Sequence, residues 1–314
     1  MKFKNPYKNK EISPLRILLW KCGYYNNHQH LKPLPKDFVF PQRKVQPSIP
    51  FCPKVCWINH ASFLVKIDNV SILTDPILGK TCSPIKLKRH HAPGLTLDEL
   101  PNIDIVLISH NHYDHMDSKT IEALNKRFPN ILWCVPQGVK KWFMKRKFTN
   151  VIEFNWWQKE SITKPFGVDI TITAVPAQHF SGRNLFDLNK SHWCGFVVEG
   201  KNEKRFYFAG DTGYNKYDFK KIGSIWKKMD LSLIPIGAYL PTKLMSPVHT
   251  SPHESVRIHK EVFSNFSIGM HWKTFDLSDE PLNRPPYDLF QALRKEEVST
   301  SSFIVSEPGE WFDW

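Results

Sequence analysis

Ile105-Val106-Leu107-Ile108-Ser109-His110-Asn111-His112-Tyr113-Asp114-His115 is the stretch on which the reading of this chain turns. Its first four residues form an apolar run of the length and branching expected of a buried strand. The residues that follow hold His110, His112, Asp114 and His115. A strand ending in such a cluster opens into a loop whose side chains can converge on one point. Imidazole and carboxylate together suit zinc, iron or manganese. A merely solvated histidine-rich loop would have no reason to follow a buried strand, so the cluster reads as the start of a metal centre.

One loop does not complete two metal sites, and the sequence offers three further donors in similar settings. His179 follows the apolar segment 170–175 and a Pro-Ala-Gln turn. Asp211 follows Phe206-Tyr207-Phe208-Ala209 and lies between Gly210 and Thr212-Gly213, where glycine permits a tight turn that aims a carboxylate inward. His271 follows Ser267-Ile268-Gly269-Met270. Each alone is unremarkable; together they place ligands on loops at one edge of a layered sheet structure.

Working outward, short apolar runs ending in polar loops predict strands over 55–58, 63–67, 71–74, 105–109, 131–135, 170–175, 195–198, 206–209, 231–235, 267–270 and 303–305. Helical periodicity marks 119–128, 138–145, 252–263 and 287–295, and Ser251 with Glu254 forms a capping-box pattern before the third. Strands lead and helices follow in each half. That order predicts an α/β fold of two sheets packed in layers with helices outside, not a doubly wound sheet. No internal repeat is visible. Residues 1–50 differ: they carry Lys2, Lys4, Lys8, Lys10, Lys32, Lys36, Arg43 and Lys44, and prolines crowd their second half. They read as an extension, with one helical candidate over 14–21, wrapped on a domain at 51–314. Its aromatic and basic residues (Phe3, Tyr7, Trp20, Tyr24, Tyr25) suit either a lipid interface or a belt covering the domain. Trp133, Trp142, Trp156 and Trp157 read as core packing.

Of the six cysteines only Cys52 and Cys56 are close, so reduced, mostly buried thiols are expected in a cytoplasmic protein. No apolar run reaches the roughly 18 residues of a spanning helix. The formal net charge of +13 favours anionic partners such as nucleic acid, anionic lipid or phosphorylated substrates. No glycine-rich or aromatic RNA-binding motif accompanies it, which argues against nucleic acid.

The full set of motifs resembles the metallo-β-lactamase superfamily, and within it most closely the N-acylphosphatidylethanolamine-hydrolysing phospholipase D family. The resemblance rests on Ser109-His110-Asn111-His112-Tyr113-Asp114-His115, Ala177-Gln178-His179, Ala209-Gly210-Asp211-Thr212-Gly213-Tyr214, Val256-Arg257-Ile258-His259 and His271-Trp272-Lys273-Thr274-Phe275. Trp57-Ile58-Asn59-His60-Ala61-Ser62 and Thr74-Asp75-Pro76 also fit, so it spans roughly residues 50–300. It implies a four-layered αββα sandwich of two mixed sheets. It also implies two Zn²⁺ ions, with iron or manganese as alternatives. One ion would take His110, His112 and His179; the other would take Asp114, His115 and His271; Asp211 would bridge both. Asp211 and Asp114 become the catalytic carboxylates, and Tyr113 and His249 the substrate contacts. Asp75 is expected to orient a ligand histidine, and His60 reads as a satisfied core histidine. His253 departs from the family, which tends to be acidic there, and would put a basic group near the substrate.

Two close divalent ions would acidify a shared water and yield hydroxide at neutral pH. The implied activity is release of N-acylethanolamine and phosphatidic acid from a phospholipid at a membrane surface, by a cytoplasmic enzyme able to sit peripherally on that membrane. A homodimer is compatible with this. The competing reading is a soluble hydrolase of small phosphodiesters or lactones. An apolar path to the metals would favour the lipid, a closed polar pocket the small substrate.

Overall fold

The computed structural model describes residues 53–314 except 83–85, 164–168 and 185; of the first 52 residues it describes 2–7, 16, 19–20, 22–24, 31 and 33–41. The helical candidate over 14–21 and Tyr25 and Cys52 thus fall largely or wholly outside the described residues. Two seven-stranded sheets form the centre. The first runs β16 (Trp311–Asp313), β1 (Lys54–Asn59), β2 (Ser62–Ile67), β3 (Val70–Thr74), β6 (Ile105–Leu107), β7 (Leu132–Pro136), β8 (Val151–Phe154). The second runs β15 (Phe303–Ile304), β14 (Ser267–Met270), β13 (Leu231–Pro235), β12 (Arg205–Phe208), β11 (Gly195–Glu199), β10 (Asp169–Val175), β9 (Lys159–Thr163). A two-stranded ribbon, β4 (Thr81–Cys82) and β5 (Leu87–Lys88), stands apart.

The sequence shows no repeat, yet the two sheets share a plan. β1, β2 and β3 form an antiparallel meander, and β6, β7 and β8 continue it in parallel. β10, β11 and β12 do the same, followed in parallel by β13, β14 and β15. The C-terminal β16 returns to the first sheet and pairs with β1, tying the chain end to its beginning.

Alternation within the strands explains the layering. Val55 and Trp57 of β1, Phe63 and Val65 of β2, and Ile105 and Leu107 of β6 join the large core shared with the second sheet. The intervening Cys56, Ile58, Leu64, Val106 and Ile108 face the opposite way. They pack with Ile121 and Leu124 of α1 (Ser118–Arg127) and Phe143 of α2 (Lys140–Met144). The second sheet is covered through α3 (Asp218–Trp226), α5 (Pro252–Glu261) and α6 (Arg284–Lys295), whose Phe219, Val256 and Leu289 join the shared core; α4 (Thr242–Met245) is a single short turn. The fold is thus the layered α/β sandwich of two mixed sheets that was expected.

The capping box forms as read: the Ser251 hydroxyl accepts from Glu254 N, and the Glu254 carboxylate accepts from Ser251 N. The strand expected over 105–109 stops at Leu107, because Ser109 N turns away to donate to Asp75. Trp133 is fully buried, and Trp142, Trp156 and Trp157 pack against the cores. Among the described cysteines Cys56, Cys82, Cys134 and Cys194 are buried free thiols and Cys22 is exposed. No described helix is long and apolar enough to cross a membrane. Parts of the extension lie against the domain: Phe3 stacks on His192, Tyr7 on Tyr217, and Phe38 and Phe40 pack on Phe290.

Candidate active site

The donor side chains all leave the C-terminal ends of strands at one rim of the sandwich. His60 follows β1, Asp75 follows β3, and His110, His112, Asp114 and His115 follow β6. In the second half His179 follows β10, Asp211 follows β12 and His271 follows β14. By position in the repeated plan, His60 corresponds to His179 and Asp75 to Asp211. The turns are sharp: His60, Asp75 and His271 have φ of +46°, +29° and +63°, a region L-residues enter at a cost when the surroundings over-determine them. Trp57 supplies part of that constraint. Its indole stacks on Trp272 with centroids 5.6 Å apart and donates to His60 O at 3.0 Å, an oxygen that also accepts from His271 N. Gly210 (φ +60°) is needed for another reason. A Cβ there would lie 2.6 Å from Ser109 Cβ, so only glycine lets the Asp211 loop close on the His110 loop.

Two sets of donors result. His112 Nδ1 lies 2.8 Å from His110 Nε2 and 3.2 Å from His179 Nε2. Asp114 Oδ2 lies 3.2 Å from His115 Nε2 and 3.6 Å from His271 Nε2. Asp211 Oδ2 sits between the sets, 3.1 Å from both His115 Nε2 and His271 Nε2, 3.8 Å from His179 Nε2 and 4.0 Å from His110 Nε2. The structure therefore brings together all seven residues expected to hold metal, with Asp211 in the middle. It adds one that the sequence had assigned to the core: His60 Nε2 is 2.9 Å from Asp114 Oδ2, in one donor group with Asp114, His115 and His271. The place of His60 after the apolar run 55–58 is the same local mark the other donors carry, but only the long-range contact with Asp114 puts it in the donor group.

A second layer fixes ring orientation. Asp75 Oδ2 accepts from His115 Nδ1 at 2.7 Å and from Ser109 Oγ at 2.5 Å, as expected of an orienting carboxylate. Ser109 Oγ in turn meets His110 Nδ1 at 2.8 Å. His179 Nδ1 donates to Val248 O at 2.9 Å. Each of these contacts occupies the outer ring nitrogen and leaves the inner one for the cluster.

Burial and charge divide the groups. Burial, together with neighbouring imidazoles, holds His110 and His179 well below the usual histidine range. Burial brings His112 and His249 to about 4 and His60 to about 3. Burial opposes ionisation of Asp114 and Asp211, but His115 and His271 outweigh it and both carboxyls stay well below their ordinary range. Conversely, burial would lower His115 and His271, yet Asp211 and Asp114 raise His115 well above the ordinary value and His271 to about 9. Protons on these two rings stand where cations would neutralise the carboxylates. His115 Nε2, His271 Nε2, Asp211 Oδ1 and His249 Nδ1 are buried without a hydrogen-bond partner. Neutral imidazoles, ionised carboxylates and orphaned buried atoms aimed at one space form a set able to bind metal ions.

A cavity of about 190 Å³ opens on this cluster. His112, Asp114, His179, Asp211, His249 and His271 form its polar lining. The rest of its lining is apolar: Trp20, Phe180, Leu244, Met245, Val248 and Leu277. His249 thus lies where a substrate contact was expected. Tyr113 does not line this cavity; its ring lies under the Arg183 guanidinium, 4.2 Å from the centroid. His253 points elsewhere too, 3.8 Å from Glu296 between α5 and α6, so the basic group expected beside the substrate is on the outer helical layer.

Layered mixed sheets carrying this histidine and aspartate rim define a metal-dependent hydrolase of the metallo-β-lactamase fold. The chain belongs to the β-lactamase superfamily, whose domain model matches residues 71–272. Within it the chain is a member of the N-acylphosphatidylethanolamine-hydrolysing phospholipase D family. It is 38% identical over 264 residues to N-acyl-phosphatidylethanolamine-hydrolyzing phospholipase D 1 of Caenorhabditis elegans, covering 81% of this chain and 74% of that one. It is 35% identical over 235 residues to the mitochondrial N-acyl-phosphatidylethanolamine-hydrolyzing phospholipase D of Saccharomyces cerevisiae, covering 73% of this chain and 49% of that longer protein. A metallo hydrolase from the archaeon Ignicoccus hospitalis shares the fold, with a TM-score of 0.60 at 22% identity, over 83% of this chain and 99% of that one.

Proposed function

We propose that this protein is a zinc-dependent phospholipase D that cleaves N-acylphosphatidylethanolamine to N-acylethanolamine and phosphatidic acid. The observation that carries the reading is the mixed lining of the cavity, where candidate metal donors share the wall with six apolar side chains. A small polar phosphodiester would leave those apolar side chains wet; a lipid covers them. The relatedness to the C. elegans protein supports the same substrate, and the +13 charge supports work at an anionic lipid surface.

His110, His112 and His179 would hold one ion, and Asp114, His115 and His271 the other, with Asp211 between them. When bound, two such ions supply charge that polarises a phosphoryl oxygen and acidifies water. Asp211 Oδ1, buried and without a hydrogen-bond partner, is the carboxylate oxygen left to orient an attacking water. His249, kept neutral by burial, can donate one N–H to a phosphoryl oxygen. The water oxygen forms a new bond to phosphorus, the bond from phosphorus to the ethanolamine oxygen breaks, and a proton passes to that leaving oxygen. The apolar wall holds chains away from the reacting phosphate and excludes bulk water.

The test is turnover of N-acylphosphatidylethanolamine vesicles by metal-loaded protein in ¹⁸O-water. Release of N-acylethanolamine with the label in phosphatidic acid is the expected result. Turnover of bis(p-nitrophenyl) phosphate without any lipid cleavage would overturn it in favour of the small-phosphodiester hydrolase. Zinc is tested in the same preparation by elemental analysis.

A further inference from the structure

The cavity described above is not built by the catalytic domain alone. Trp20, from the basic extension, is one of its apolar walls. Its indole Nε1 donates to Asp279 Oδ2 at 2.9 Å, on the segment that also supplies Leu277. Four residues earlier, the Arg16 guanidinium donates to Lys243 O at 2.6 Å, on α4, which supplies Leu244 and Met245. Backbone bonds from Gly23 N to Trp20 O and from Tyr24 N to Leu19 O close a turn just after the indole. Trp20 and Arg16 thus each bond to a segment that contributes lining residues to the cavity. An indole whose N–H is satisfied at the rim and whose ring faces inward offers a large rigid apolar surface with a fixed orientation.

We propose that Trp20 is a specificity-determining residue: its indole is the surface against which the apolar part of the substrate lies while the phosphate meets the metal donors. This rests on the phosphodiesterase reading for the identity of the phosphate, but the selectivity for apolar bulk belongs to Trp20 itself. Asp279 is a positioning residue that acts through the indole. Trp20 lies far from the donors in sequence, so it selects among substrates without holding metal.

Alkylphosphonates of increasing chain length test this without turnover. Their head mimics the phosphoryl group and their tail reports the wall. Binding of methyl-, butyl- and octylphosphonate to the metal-loaded protein is measured by calorimetry. In the native chain each CH₂ laid on the wall tightens binding by up to about fourfold, the equivalent of 0.8 kcal/mol. In Trp20→Ala, octylphosphonate is expected to weaken about tenfold or more, while methylphosphonate stays within about twofold and two ions per chain are retained. Trp20→Phe restores part of the chain-length dependence, and Asp279→Asn, which weakens the hold on the indole, falls between. Equal weakening for all three ligands, or loss of metal, would make Trp20 structural and overturn the proposal. An unchanged chain-length slope in Trp20→Ala would overturn it as well. A native slope that Trp20→Ala abolishes, in a protein that nevertheless fails to cleave N-acylphosphatidylethanolamine, would leave Trp20 as the selector and refute only the phospholipase reading.

Discussion

Asp75→Asn is expected to weaken both of the proposed metal sites although Asp75 belongs to neither proposed ligand set. The carboxylate makes three contacts: Oδ1 accepts from Ser109 N at 2.7 Å, and Oδ2 accepts from Ser109 Oγ at 2.5 Å and His115 Nδ1 at 2.7 Å. A hydroxyl has one proton to give. Because Ser109 gives it to Asp75, Ser109 accepts from His110 Nδ1, and His110 Nε2 is left as a lone pair. His115 reaches the same state directly. One carboxylate thereby sets the tautomer of one ligand in each set. An asparagine keeps its carbonyl toward the Ser109 amide and turns its NH₂ toward the other two groups. That amide donates to His115 Nδ1 and to Ser109 Oγ, which then donates to His110 Nδ1. Both inner nitrogens become N–H groups and stop being ligands. Loss of an orienting partner costs about 10–100-fold in metal affinity, or about 1.4–2.8 kcal/mol at each site. The assay is metal stoichiometry by elemental analysis after equilibration against a series of buffered free-zinc concentrations. Ser109→Ala is the control, expected to weaken only the His110 set. Retention of two ions by Asp75→Asn, with affinities within about threefold of the native chain, would refute the tautomer argument.

Three further outcomes are expected. Asp211→Asn should lower occupancy of both sites, because Asp211 Oδ2 contacts donors of both sets; elemental analysis showing loss of a single ion would contradict its central position. Metal binding should release protons near pH 7, because His271 is raised to about 9 and His115 well above the ordinary range in the metal-free chain; calorimetry in buffers of different ionisation enthalpy should show the release falling as pH rises past 9. Burial lowers His259, which bonds Ser267 Oγ behind the site, from 6.5 to about 4. The unfolded chain then binds the extra proton first, so stability is full above pH 6.5 and falls as pH drops toward 4, by at most about 3 kcal/mol for this residue. Unfolding titrations should show a shallower loss between pH 7 and 5 in His259→Asn, and an unchanged slope would be contrary.

The fold was legible where burial is two-sided. Leu231–Pro235 and Ser267–Met270 are fully buried, and apolar runs match them residue for residue. Lys159–Thr163 escaped because it is an edge strand of alternating exposure whose sequence, Lys-Glu-Ser-Ile-Thr, carries almost no apolar signal. Trp311–Asp313 escaped because three residues set no period; its pairing with β1 is a contact across the whole chain. The last helix, expected from 287, begins at Arg284, with Pro285 and Pro286 in its first turn, where no backbone donor is required. The convergence of the seven candidate donors was legible because each follows an apolar strand. The contacts of His60 with Asp114 and of Trp20 with Asp279 were not, because each joins segments far apart in the chain.

The duplicated plan of the two sheets has a mechanical consequence. His60, Asp75 and the 110–115 loop hang from the first sheet, while His179, Asp211, His249 and His271 hang from the second. Ions seated among them would act as a rivet through the seam between the halves. Pulling the halves apart would then require breaking coordination bonds at one rim and the β16–β1 pairing that stitches the C-terminus back to the first sheet. The force needed to open the seam should therefore depend on free metal, with chelator turning a single stiff body into two that yield in sequence.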